Sequence, residues 1–99
     1  MGADASRERM PVEAELVIRN RRGLHARAAA RFVKTAARFR SRITVEKDGT
    51  AVCGTSIMGL LLLAAAAGER IRLRAEGPDA EEAVAALAAL VEGGFDEPE

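Results

Sequence analysis

From Val12 the chain alternates apolar and polar residues, with Val12, Ala14, Leu16 and Ile18 on one face and Glu13, Glu15 and Arg19 on the other. A period of two marks a half-buried strand. After the loop from Asn20 to Leu24 the period changes. Ala29, Phe32, Val33 and Ala36 recur at i, i+3, i+4 and i+7, the apolar stripe of an amphipathic helix that the pattern carries to near Phe39. Arg27, Arg31, Lys34 and Arg38 share its opposite face. Alternation returns in Ile43, Val45 and Lys47 against Arg42, Thr44 and Glu46. Asp48-Gly49 is a two-residue hairpin turn, sending Thr50 to Cys53 back as an antiparallel third strand. Gly54-Thr55-Ser56 breaks that strand, and Ser56 or Thr55 caps a short helix from Ile57 to about Ala65, with Gly68 ending the segment. Ile71, Leu73 and Ala75 alternate with Arg70, Arg72 and Arg74 as a fourth strand. Gly77-Pro78-Asp79 opens the last helix, with proline suited to a first position; Val84, Leu87, Ala88 and Val91 form its stripe, and Gly93-Gly94 stops it.

The order βαββαβα, with one apolar face per strand and one stripe per helix, predicts an α+β fold: a four-stranded antiparallel sheet with three helices on one face, an open-faced sandwich. The pattern does not fix the strand order. A chain of 99 residues builds one modest core. Residues 11–94 are expected to form that domain, with residues 1–10 a disordered tail and residues 95–99 a loose one.

Charge sharpens the picture through its distribution, since the totals balance at 15 basic and 15 acidic residues. Between Leu16 and Val45 stand nine basic residues and no acidic one, and the acids collect towards the two ends. Such a split gives a positive face that steers towards acidic partners or phosphate. Nucleic acid competes for that role, but single-strand and RNA platforms stack bases on aromatic rings. This chain has three Phe, no Tyr and no Trp, and Phe32 lies on the apolar stripe.

The single cysteine, Cys53, excludes an internal disulfide and fits a reducing cytosol; its short apolar run predicts a buried, inert thiol. One histidine and one cysteine do not make a protein zinc site, so no metal and no cofactor are expected. The first ten residues are polar and charged, unlike a signal peptide. The apolar run from Ile57 to Ala67 is eleven residues, against about twenty needed to span a bilayer. A cytoplasmic protein with no membrane insertion is expected.

The only histidine, His25, falls where the loop becomes a helix. There backbone N–H groups lack intrahelical partners and the macrodipole is positive. With Arg27 two residues on, the helix start is suited to an anion, and an imidazole beside an anion suggests a nucleophile that accepts a phosphoryl group. The alternative is a helix-start histidine without a chemical role.

Gly23-Leu24-His25-Ala26-Arg27, followed by Ala28-Ala29-Ala30-Arg31-Phe32-Val33-Lys34, resembles the active-site signature of the HPr family, the histidine-containing phosphocarriers of the bacterial sugar phosphotransferase system. The likeness continues through Ser41 to Lys47, Gly54-Thr55-Ser56-Ile57-Met58-Gly59-Leu60 and Ala75-Glu76-Gly77, and spans residues 12–92. One departure is Ala28, where the family motif usually carries proline; alanine is an excellent helix former, so the site is expected to survive. Met1-Gly2-Ala3-Asp4-Ala5-Ser6 matches a myristoylation pattern, which a bacterial family resemblance discounts.

The resemblance implies the same open-faced fold and a carrier with no small-molecule substrate of its own. His25 would accept a phosphoryl group from phosphorylated enzyme I, on the ring nitrogen nearer the backbone, and pass it to enzyme IIA-type domains. Arg27 would stabilise the transferring charge, with the backbone N–H groups of Ala26 and Arg27 in the same work. At Ser56 two readings stand side by side: regulatory phosphorylation by an HPr kinase/phosphorylase, and a plain N-cap contributing about 1 kcal/mol. Ala30, Lys34, Ile57, Met58 and Leu61 match the family's partner-facing patch. In the run from Leu60 to Leu63, Leu60 and Leu63 are expected to face the core and leave Leu61 and Leu62 outside. A monomer is expected. Two rival functions are a regulatory paralogue of a nitrogen-related phosphotransfer branch, towards which the Gly54 to Leu60 wording and the leucine run lean, and a basic nucleic-acid-binding αβ domain.

Overall fold

A computed structural model describes residues 10–97. Its elements in chain order are β1 (Val12–Val17), α1 (Ala26–Ala36), β2 (Arg42–Lys47), β3 (Thr50–Cys53), α2 (Ile57–Leu63), β4 (Arg70–Glu76) and α3 (Ala80–Glu92), followed by a 3₁₀ turn at Gly94–Asp96. The sheet order is β1-β4-β2-β3, every pair antiparallel. Only the β2–β3 pairing is a hairpin, and its turn has the positive φ angles at Asp48 and Gly49 that a two-residue loop needs to match the strand twist.

One face of the sheet carries Leu16, Ile18, Ile43, Val45, Ile71, Leu73 and Ala75, all buried, and it is the face the helices cover. Glu13, Glu15, Arg70, Arg72 and Arg74 point the other way into solvent, so the sandwich is open-faced as expected. Cys53 corrects the expectation of a buried thiol. It pairs directly with Thr44, on the polar side of β2, so the strand's alternation turns Val52 towards the helices and Cys53 outwards, where it is exposed. Hydrogen bonding to Thr55 draws the Cys53 thiol below its ordinary pKa.

Helix α1 buries Ala28, Ala29, Phe32 and Ala36, while Val33 is half-buried. It ends at Ala36, three residues short of Phe39; the N–H groups of Arg38 and Phe39 bond to carbonyls three residues back, as in a tightening last turn. Ala28 is fully buried, so the small residue at the usual proline position belongs to the core. Helix α2 is shorter than expected, because Ala64 takes a left-handed conformation (φ 50°) as its C-cap. Leu60 and Leu63 face inwards.

Helix α3 is capped two residues later than proline at its first position would require: Asp79 is the N-cap, where Pro78 at the first position would have made it Gly77. The Asp79 carboxylate leaves its own helix unbonded and accepts from the N–H groups of Arg40 and Ser41 and, at 2.6 Å, from the Ser41 hydroxyl. These bonds, with the Ser41 hydroxyl foremost, hold its pKa below the ordinary carboxylate value. A depressed folded-state pKa stabilises the fold fully above the unfolded value, about pH 4, and the gain is lost as pH falls through the lower folded value. Asp79→Asn should therefore lower the melting temperature at neutral pH, with the gap to the parent closing below about pH 4. Thermal melts of both proteins across that range would check it; a gap that does not change with pH would show that the charge contributes nothing.

The C-terminal segment corrects a second expectation. Residues 95–97 are not loose: Phe95 is fully buried in the core, at φ 57° after Gly94 at φ 69°, and Arg31 Nη1 donates to the Phe95 carbonyl at 2.9 Å. Burying a phenylalanine is worth about 2–3 kcal/mol, enough to draw the chain back past the end of α3. Residues 98–99, and residues 1–9 of the expected N-terminal tail, lie outside the described residues.

Candidate functional site

The loop from Asn20 to Leu24 is fixed at both ends before the histidine begins. The N–H of Leu24 donates to the Ala65 carbonyl at 2.8 Å, tying the loop to the segment after α2. Gly23 has φ +71°, and a Cβ there would stand 2.5 Å from the same Ala65 oxygen, so glycine is demanded twice over. His25 follows as the N-cap of α1, in an extended conformation (φ −82°, ψ −178°).

Each ring nitrogen of His25 has a defined neighbour. Nδ1 accepts from the backbone N–H of Arg27 at 3.3 Å, and Nε2 lies 2.5 Å from Oε2 of Glu97. An N–H needs an acceptor and a carboxylate needs a donor, so this pair of contacts selects the tautomer with the proton on Nε2 and the lone pair on Nδ1. The nitrogen that carries the lone pair is therefore the one nearer the backbone, turned towards the helix start.

Glu97 is held from its other side by Asn20, whose Nδ2 donates to Glu97 Oε1 at 3.0 Å and to the Gly23 carbonyl at 2.7 Å. Asn20 is fully buried, and its Oδ1 meets no donor among the described residues. An orphaned buried oxygen costs about 1–3 kcal/mol, a cost accepted here to aim both amide protons at the loop and the carboxylate. Partial burial pushes the Glu97 pKa up, but hydrogen bonds from Asn20 and His25 and the nearby positive charge of Arg22 outweigh it, leaving Glu97 below its ordinary value.

Glu97 borders a shallow depression of about 300 Å³ that Arg21, Arg22 and Arg27 also line. Arg27 is exposed at the first turn of α1, as the sequence predicts, and its N–H, like that of Ala26, belongs to the first-turn set that lacks intrahelical partners. Arg21 and Arg22 join it through the loop's fold-back, which no periodicity announces. Ser56 is the N-cap of α2: its Oγ accepts from the Gly59 N–H at 3.0 Å, and Thr55 instead hydrogen-bonds with the Cys53 thiol. Among the residues matched to a partner-facing patch, Ala30, Lys34, Ile57 and Met58 are exposed, Met58 at 70%. Leu61 is half-buried against the core, and Leu62, at 75%, is the leucine that stands clear.

An open-faced sheet with one tautomer-selected imidazole at a helix start, and with Arg21, Arg22 and Arg27 lining the depression that Glu97 borders, defines a small α+β carrier of an anionic group. Residues 12–93 match the family model described as the PTS HPr component phosphorylation site. The phosphocarrier protein HPr of Xylella fastidiosa is 45% identical over 86 residues, covering 87% of this chain and 97% of that protein. The HPr-like protein Crh of Bacillus subtilis is 46% identical over 81 residues, covering 82% and 95%. A crystal structure of HPr from Thermoanaerobacter tengcongensis superposes with a TM-score of 0.85 at 48% identity, covering 89% of this chain and 99% of that one. The chain belongs to the HPr family. It is a phosphocarrier of the phosphotransferase system. Among the described residues no helix is long and apolar enough to cross a membrane.

Proposed function

We propose that His25 Nδ1 is the atom that carries the phosphoryl group, received from a phosphohistidine of enzyme I and passed to an enzyme IIA-type domain. The observation that carries this reading is the pair of ring contacts: Nε2 is occupied by Glu97, while Nδ1 offers its lone pair at the positive end of α1. In the transfer, the donor's P–N bond breaks with its electron pair returning to the donor ring, and a new P–N bond forms at Nδ1. The Arg27 N–H then loses its ring acceptor and is free for a phosphoryl oxygen. The Arg27 guanidinium, with Arg21 and Arg22 around the same depression, supplies positive charge to the others. Docking uses Ala30, Lys34, Ile57 and Met58, with the half-buried Leu61 and the exposed Leu62 completing the patch. A cytoplasmic monomer fits this exchange between protein partners.

Incubation with enzyme I and phosphoenolpyruvate should give one acid-labile phosphate per chain, with the nitrogen spectrum of the ring placing it on Nδ1. Absence of acid-labile phosphate would overturn the reading. The same phosphorylated protein, offered to sugar-specific and nitrogen-branch IIA-type domains in turn, would identify its acceptor.

Ser56 is a regulatory phosphorylation site for an HPr kinase/phosphorylase on this reading, since its hydroxyl sits at the edge of the apolar patch formed by Ile57 and Met58. A negative charge there opposes acidic partners, and an acid remains a good N-cap. Ser56→Asp should slow transfer from enzyme I severalfold with little change in melting temperature. Unchanged kinetics would leave Ser56 a cap only.

A further inference from the structure

We propose that Glu97 is a positioning residue for phosphoryl transfer, holding the Nε2 proton of His25 so that Nδ1 is the nucleophile and so that the charge acquired by the ring is met at once. The inference rests on the reading of His25 as the acceptor. Glu97 does not lie against the imidazole by chance of a free end. Phe95 plugs the core two residues earlier, Arg31 holds the Phe95 carbonyl, and the buried Asn20 fixes Oε1, so that Oε2 is presented to the ring. The contact is partly shielded, with the His25 and Glu97 side chains only 23% and 14% exposed.

The chemistry calls for a carboxylate on this edge of the ring. Attack through the Nδ1 lone pair needs no proton to leave: the proton on Nε2 stays, and the neutral imidazole becomes a positively charged N-phosphoimidazolium. A fixed carboxylate at Nε2 stabilises that cation, as the buried carboxylate of a catalytic triad stabilises the imidazolium it faces. When the group departs, the electron pair of the P–N bond returns to Nδ1 and the same tautomer is restored, ready for the next cycle. Glu97 faces Nε2 and leaves Nδ1 open, so it orients the nucleophile without covering it. His25 itself caps α1, but the carboxylate comes from the far end of the chain, 72 residues away in sequence.

The test uses the full chain with enzyme I and phosphoenolpyruvate, comparing the parent with Glu97→Ala, Glu97→Gln and His25→Ala. Glu97→Ala should slow transfer about tenfold, the lower end for loss of a group that orients a reactive imidazole. Its melting temperature should stay near that of the parent, because Phe95 remains as anchor. Nitrogen-15 shifts of the His25 ring should move from a single Nε2–H tautomer to a mixture of both. Glu97→Gln should keep the tautomer through its amide oxygen yet recover the rate only in part, since it has no charge. A Glu97→Ala protein that transfers at the parent rate or faster overturns the proposal, as does an unchanged tautomer. Failure of the parent to take phosphate, or phosphate uptake by His25→Ala, instead overturns the assignment of His25, which the tautomer measurement does not depend on.

Discussion

A His25→Ala protein should take up no acid-labile phosphate from enzyme I while remaining folded. The imidazole lies outside the apolar stripe of α1 and keeps 23% of its surface in water, so its loss opens no cavity in the core. What is lost is an N-cap acceptor for the Arg27 N–H, worth about 1 kcal/mol when a capping side chain is replaced by alanine. For a domain of this size that corresponds to a fall in melting temperature of about 4–8 °C, well short of unfolding. Glu97 keeps its bond from Asn20 and gains access to water, so no charge is stranded. Melting curves and phosphate analysis on one preparation would check both halves. Retained phosphate uptake would mean that another residue is the acceptor.

The second large effect separates chemistry from steering. Arg27 is exposed in the first turn of α1, and Arg38 is exposed just past the helix's C-terminal end. A charge that merely guides encounter slows association slightly when removed, and its effect fades as salt screens the field. Arg38→Ala should behave in that way. Arg27 lines the depression bordered by Glu97, the carboxylate that meets the imidazole, and its own N–H donates to Nδ1. A preorganised donor at the place where charge is redistributed is worth roughly 3 kcal/mol, or about a hundredfold in rate. Arg27→Ala should therefore slow transfer by a factor of that order which persists at high salt. Arg27→Lys should restore it only partly, because a point charge lacks the guanidinium fork. Rapid-quench rates for the three variants at low and high salt would decide the matter; matching salt profiles for the two alanine variants would remove Arg27 from the site.

The elements are legible in the residues because only one face of the sheet is covered. Ile71, Leu73 and Ala75 against Arg70, Arg72 and Arg74 is as plain an alternation as an open-faced sheet can produce, and Ala29, Phe32 and Ala36 mark the covering helix as plainly. Strand order is not legible, since any antiparallel neighbour satisfies the same alternation. The position of Cys53 was available and hidden by its apolar company: the Asp48-Gly49 turn pairs Lys47 with Thr50, and the same register carried on sets Cys53 opposite Thr44 on the polar face. His25 and Arg27 stand out as a local pattern. Glu97 and Asn20 do not. A buried asparagine breaks the rule that polar loop residues face water, and a glutamate in an acidic tail has nothing to mark it until Phe95 is seen to be buried. The signal that could have located it was an aromatic residue placed just beyond the Gly93-Gly94 stop.

The pairing of β1 with β4 sets the timing of folding. The β2–β3 hairpin closes over a two-residue turn and forms on the timescale of local contacts, but Val12 meets Ala75 about sixty residues downstream. During synthesis Leu16 and Ile18 must therefore wait, uncovered, until the fourth strand has emerged, and non-local pairing of this kind slows folding and prolongs exposure. The carboxylate beside the imidazole arrives later still, delivered by the last aromatic residue to enter the core. A nascent chain thus acquires its histidine early and the environment of that histidine last, so the completed fold and the completed site appear in the same step.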